Sequence, residues 1–102
     1  MKGFELKCTS GPFGDCTSNY EARFDREFTV REFVDEVLKN DREWGDFRII
    51  TDGCPFGTET SKYRYGKLLS SFSEETLKKK IKSVTANGGW SLMTYFIRLA
   101  DD

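Results

Sequence analysis

The chain is 102 residues long, which fits a single domain over residues 1–102 with its own hydrophobic core. Its 16 basic and 17 acidic residues nearly cancel, so the net charge of −1 supplies no overall field that would draw the protein to nucleic acid or anionic lipid. No segment is long and apolar enough to span a membrane, and the first residues lack the apolar segment of a signal peptide.

The cysteines and the absence of histidine restrict the chemistry. Cys8, Cys16 and Cys54 are an odd number for a disulfide framework, so we expect a reducing, cytoplasmic location. Without histidine, a cysteine nucleophile has no histidine base within the chain, and the cysteine spacing matches no standard zinc pattern. We therefore predict neither metal nor cofactor, with Cys8 as a small core residue and the other two in loops.

The chain opens with a predicted β-hairpin. Apolar and polar residues alternate over residues 3–9 and again over residues 17–25, which is typical of half-buried strands. Residues 10–15 between them contain two glycines and a proline and predict a loop.

The first helix has a clear start signal. Thr29 and Glu32 have the spacing of a capping box, in which the hydroxyl and the carboxylate each accept a backbone N–H. Phe28 and Phe33 stand at hydrophobic-staple positions. Apolar residues then recur at helical spacing, and the helix is expected to end near Lys39 or Asn40.

The middle of the chain predicts two more strands and a second helix. The strands are residues 46–51 and 62–69, separated by a loop at residues 52–57 in which Pro55 excludes a regular ladder. Ser73 then has the character of a helix cap, and we predict a short helix through about residue 79.

Residues 80–86 leave two alternatives. They favour a strand that turns at Asn87 and Gly88, a strong hairpin signal, into the last strand. The other alternative is that the second helix continues to Ala86 and ends at a glycine cap.

The last strand, residues 90–99, is the longest run that fits a strand alone. One face by alternation is fully apolar and the other is mixed, so we expect an inner strand that is half covered on its second face. The apolar face is Met93, Tyr95, Ile97 and Leu99, and the mixed face is Leu92, Thr94, Phe96 and Arg98.

This order of elements resembles the ubiquitin-like β-grasp. The resemblance implies an α+β fold with an N-terminal β-hairpin, one main helix across a mixed sheet, a short second helix, and a C-terminal strand inside the sheet beside the first strand. It covers nearly the whole chain and rests on element order. The segment Gly88-Gly89-Trp90-Ser91 is also similar to small uncharacterised bacterial proteins with such a turn near the C-terminus, which implies no activity.

A complete fold pattern without a recognisable catalytic set predicts a non-enzymatic module. We expect it to bind an unknown protein partner or a second copy of itself. The candidate contact residues are Leu92, Phe96 and Arg98, on a face that the fold order leaves uncovered, and Phe13, an apolar side chain in a loop.

Two other functions remain open. Single-stranded nucleic acid is the first, with Tyr63 and Tyr65 stacking on bases while Lys62 and Arg64 hold phosphates, although the near-neutral net charge weighs against it. The second is a thiol-dependent enzyme or redox role through the three cysteines.

Overall fold

A computed structural model describes residues 3–10, 18–40, 43–51, 53–89 and 92–100. Its elements in chain order are β1 (Phe4–Ser10), β2 (Ser18–Phe24), α1 (Val30–Asn40), β3 (Trp44–Thr51), β4 (Cys54–Arg64), β5 (Lys67–Ser70), α2 (Glu74–Leu77), β6 (Ile81–Gly89) and β7 (Leu92–Leu99).

The strands form one seven-stranded sheet in the order β1-β2-β6-β7-β3-β4-β5. Every neighbouring pair is antiparallel except β3 and β7, which are parallel. Since β2 and β7 both run antiparallel to β6, β2 also runs parallel to β3. Helix α1 connects these two strands and so crosses over β6 and β7 on one face of the sheet.

The predicted ubiquitin-like β-grasp is wrong. The described part of the chain is mostly sheet, with seven strands and two short helices, and β7 does not lie beside β1. Two features make the difference. Strand β6 lies between β2 and β7, so the N-terminal hairpin is at one edge of the sheet and β7 pairs with β6 and β3 rather than with β1. Strand β5 adds a further strand at the other edge.

The predicted hairpin turn at Asn87 and Gly88 is also wrong, although residues 81–89 form a strand. The two residues lie inside the β6–β7 ladder, opposite Thr94 and Met93. Asn87 Nδ2 donates to Asn19 Oδ1 of β2 at 2.7 Å, so the side chain that suggested a turn instead joins two strands. The connection to β7 falls outside the described residues.

The predicted strand over residues 62–69 is two strands joined by a tight turn. Tyr65 and Gly66 both have positive φ, 51° and 78°, between the paired residues Arg64 and Lys67. Two central residues with positive φ form a type I′ turn, whose twist matches that of the flanking strands. The turn was missed because tyrosine is not a usual residue at its first position.

The predicted loop at residues 52–57 is largely strand. Strand β4 begins at Cys54 and runs through Pro55. The β3–β4 register is irregular between Ile49 and Thr51, so the proline lies where the ladder is interrupted rather than in a regular part of it.

The capping box at the start of α1 is confirmed. Thr29 N donates to Glu32 Oε1 at 3.0 Å, and Glu32 N donates to Thr29 Oγ1 at 3.2 Å. The helix ends at Asn40, as predicted, and Asn40 Nδ2 donates to the Glu36 carbonyl at 2.7 Å.

The core lies between α1 and the sheet and is centred on Phe33. This side chain is fully buried, and its ring lies 5.1–6.0 Å from rings on four strands. Those rings are Phe4 of β1, Phe24 of β2, Phe47 of β3 and Tyr95 of β7. The apolar face of β7 is confirmed, since Tyr95, Ile97 and Leu99 are buried on this side.

Helix α2 closes the core at the β4 end and is held there by hydrogen bonds. Ser73 is its N-cap, as predicted. The Glu59 carboxylate accepts from Ser73 N and from Thr76 Oγ1, both at 2.6 Å. Partial burial raises the pKa of Glu59, but these hydrogen bonds outweigh it and leave that pKa below its ordinary value of 4.5.

Replacement of Thr29 by alanine removes one half of the capping box. We expect Thr29→Ala to lower the free energy of unfolding by about 1 kcal/mol, measured by urea denaturation, because the Glu32 N–H loses its acceptor. Asp35→Ala, at an exposed position in the same helix, is the control and should be neutral or slightly stabilising. Equal losses in both variants would contradict a specific role for the cap.

Glu59→Gln tests the link between α2 and the sheet. Because the folded-state pKa of Glu59 is lowered, its carboxylate stabilises the fold above pH 4.5, and that contribution is lost as the pH falls through the folded pKa. We expect the variant to be less stable than the wild type at neutral pH, with the difference shrinking in acid. A difference that stays constant over an acid series of urea titrations would contradict the assignment, and Glu75→Gln in α2 is the control.

Candidate functional site

Both helices pack on the same side of the sheet, and we call the opposite side the open face. Residues that alternate with the core positions of β3, β4 and β7 lie on it. The strand register arranges them in three cross-strand rows. These rows are Leu92–Trp44–Arg64–Lys67, then Thr94–Asp46–Lys62–Ser70, then Phe96–Arg48–Thr60.

Two large apolar side chains lie side by side in the first row. Leu92 is 57% exposed and Trp44 is 42% exposed, although both belong to inner strands of the sheet. Exposed apolar side chains are common when single, so neighbouring ones on an uncovered face make this row the candidate contact surface. Trp44 was not predicted as a site residue because the predicted strand began at Asp46.

The structure places three of the predicted contact residues on the open face. Leu92 and Arg98 are exposed, and Phe96 is half-buried between Thr85 of β6 and Arg48 of β3. Leu92 and Phe96 are separated by about 13 Å along the strand. Phe13, the fourth predicted contact residue, lies outside the described part of the chain.

Arg64 organises the end of the open face beside the β4–β5 turn. Its guanidinium lies 4.1 Å from the centre of the Trp44 ring and 5.2 Å from that of Tyr65. A guanidinium over an aromatic face is attracted by the ring, by about 0.5–1 kcal/mol at exposed sites. Arg64 therefore holds the tryptophan in place and presents positive charge next to it.

The four residues predicted for nucleic acid do not form one surface. Lys62 and Arg64 lie on the open face, and Tyr65 is exposed in the turn. Tyr63 lies on the other side, 1% exposed, with its ring 5.3 Å from Phe47 in the core. It cannot stack on a base, so the prediction that the two tyrosines share an accessible face is wrong.

The burial of Tyr63 depends on a glycine. A Cβ atom at Gly45 would collide with the Tyr63 ring, so the ring packs directly on the backbone of β3. Gly45 and Tyr63 are paired across the two strands, and aromatic rings commonly cover a strand glycine in this way.

Positive charge is concentrated on one half of the open face. Lys62, Arg64 and Lys67 make no ion pair with an acid in the described part of the chain. The three rows hold four basic side chains and one acid, Asp46, which stands opposite Lys62. On the β1–β2 half, by contrast, acids and bases stand opposite one another in equal number. Those cross-strand pairs are Glu5 with Arg23 and Lys7 with Glu21.

The acid within the three rows is nearly buried. Asp46 is 8% exposed, and its Oδ2 accepts from Arg48 Nε at 3.1 Å. Its Oδ1 is buried without a hydrogen-bond partner in the described structure, which costs about 1–3 kcal/mol for an acceptor of this kind. Lys62 stands opposite it on β4 in the strand register.

The thiol chemistry gains no support from the described residues. Cys8 is exposed on the edge strand β1, so its prediction as a core residue is wrong; α1 covers the Phe4 end of that strand. Cys16 and the Cys54 side chain lie outside the described structure.

Within the described ranges, no group of three or more Cys, Asp or Glu residues is placed to hold a metal ion. No helix in those ranges is long and apolar enough to cross a membrane.

Gly45→Ala tests the position of Tyr63. We expect the added methyl group to lower the free energy of unfolding by about 1–3 kcal/mol, because the buried ring has no room to move. Gly53→Ala is the matched control, since a Cβ there would meet nothing within 4 Å. If urea denaturation shows the two variants to be equally stable, the tyrosine does not lie on Gly45.

The comparisons with known proteins add no relationship. No protein-family model matches the sequence, no curated protein is significantly similar to it, and no solved structure matches it at a significant level.

Proposed function

We propose that this protein is a non-enzymatic binding module that engages a protein partner through the open face. The observation that supports the proposal is the exposure of Trp44 and Leu92 side by side on a sheet face that neither helix covers. Tryptophan and arginine are the residue types that dominate the energetics of protein interfaces, and Arg64 lies on the Trp44 ring.

Covering these side chains would contribute a measurable free energy of binding. Fully burying a large apolar side chain contributes about 1.5–3 kcal/mol, so covering the exposed halves of Trp44 and Leu92 contributes about 2 kcal/mol. That corresponds to about thirtyfold in affinity. Phe96 and Arg98 extend the same face along β7.

No catalytic set is assembled among the residues that the structure describes, which favours a binding role over catalysis. The sequence has no histidine, and the described thiol, Cys8, lies on the edge strand far from the three rows in strand order. We place the protein in the reducing cytoplasm, since its three cysteines cannot all pair within one chain.

Single-stranded nucleic acid is the second candidate. Trp44, Arg64 and Tyr65 form an exposed aromatic and basic cluster beside Lys62, which is the composition of a stacking platform. The burial of Tyr63 removes one of the two predicted stacking residues, and the Arg64 guanidinium already occupies a face of the Trp44 ring. These two facts favour a protein partner.

Leu92→Asp tests the proposed surface. We expect the variant to remain folded by circular dichroism, because the side chain is exposed, and to lose at least tenfold in partner binding or self-association. Sedimentation velocity over a concentration series measures self-association, and affinity capture from the source cell compares partner recovery. Phe96→Asp is the companion variant on the same strand.

Leu69→Asp is the matched control for these variants. Leu69 is 66% exposed but lies at the register irregularity of β5 rather than in the three rows. It should leave binding unchanged. If all three variants behave as the wild type does, the open face is not the binding surface.

A further inference from the structure

We infer that the partner of the open face is an acidic protein segment in extended conformation that carries a large apolar side chain. This inference rests on the proposed function and names the chemistry of the partner. The apolar side chain would lie on Leu92 and Trp44, and the carboxylates of the segment would contact Lys62, Arg64 and Lys67.

The positive charge on the β4 and β5 part of the open face favours an acidic partner. Three basic side chains occupy two adjoining rows over β4 and β5, without an ion pair to a described acid, in a chain whose net charge is −1. The acid within the rows, Asp46, is buried and bonded to Arg48 of its own strand. A partner of opposite charge is therefore attracted to this half of the face.

The same charges argue against a second copy of this chain. In a symmetric dimer the same patch of both copies takes part, so a contact centred on Leu92, Trp44 and Arg64 would bring both sets of basic side chains into one interface. Like charges brought together in this way destabilise the contact. The partner is therefore expected to be a different, acidic molecule.

The apolar end of the first row argues for protein over nucleic acid. Leu92 has no aromatic face on which a base could stack, and Arg64 lies 4.1 Å over the Trp44 ring. Tyr63, on the neighbouring strand, is in the core. An aliphatic or aromatic side chain of a protein can pack on Leu92 and the indole edge without displacing Arg64.

The size of the surface argues for a segment rather than a globular domain. Four neighbouring strands span about 14 Å, and three rows span about 13 Å along the strands. The footprint of the three rows is therefore about 180 Å², far below the roughly 800 Å² per partner that stable globular interfaces bury. An extended peptide of about four or five residues covers that distance.

Fluorescence anisotropy with labelled probes tests the inference. The probes are a short peptide of glutamates around a central pair of phenylalanines, the same peptide with lysines for the glutamates, the same peptide with serines for the phenylalanines, and oligothymidylate. We expect only the first peptide to bind the full chain at low salt, with affinity falling as salt is added. In a Trp90→Phe background, Trp44 fluorescence should change on binding.

Charge reversals locate the binding on the open face. Arg64→Glu and Lys62→Glu should each lower the affinity for the acidic peptide at least tenfold, and Arg64→Gln should lower it less. Lys78→Glu is the matched control, because Lys78 is exposed at the end of α2 on the other side of the sheet, and it should leave binding unchanged.

Three outcomes would overturn the inference. Tighter binding of oligothymidylate would assign the surface to nucleic acid. Self-association that Leu92→Asp abolishes, without peptide binding, would assign it to a second copy and leave the proposed function standing. Failure of the peptide to bind, together with an inert Leu92→Asp variant in every assay, would remove both proposals.

Discussion

The fold depends on the contact between Phe33 of α1 and aromatic rings from four strands. Phe4 and Phe24 come from the N-terminal hairpin, while Phe47 and Tyr95 come from the parallel pair β3 and β7. Each aromatic pair contributes about 0.5–1.5 kcal/mol beyond the burial of its area. Because α1 crosses from β2 to β3, this single side chain joins two parts of the sheet that are distant in the chain.

Because both helices cover the same face of the sheet, the side chains on the opposite face are left uncovered. The core positions of β3, β4 and β7 all turn toward α1 and α2, so the residues between them lie on the open face. A purely structural open face would carry polar side chains, as the charge-balanced β1–β2 half does. The half that carries Trp44, Leu92 and Arg64 departs from that pattern, and the departure supports a binding role.

Local features were predictable from the sequence because the interactions that make them are local. The capping box of Thr29 and Glu32 involves residues three apart, and the two faces of β7 follow from strict alternation. The open-face residues of β7 were found in the same way.

The sheet order and the partners across strands could not be predicted in this way. Asn87 and Gly88 have the composition of a turn, but they pair with β2 and β7, and Asn87 donates to the Asn19 side chain of β2. The burial of Tyr63 could not be predicted from its own strand, because it depends on the packing of its ring against Gly45 of the neighbouring strand. Trp44 becomes a site residue only through its place between Leu92 and Arg64, which lie 20 or more residues away.

Photo-cross-linking in the source cell tests most directly whether the open face is the binding surface. A photoreactive residue at position 92 should give a covalent adduct with another protein, while one at position 78, on the α2 side, should not. Mass spectrometry of the adduct would show whether the linked segment is acidic. Adducts at position 78 with none at position 92 would contradict the account, because the contact surface would then lie on the helical side.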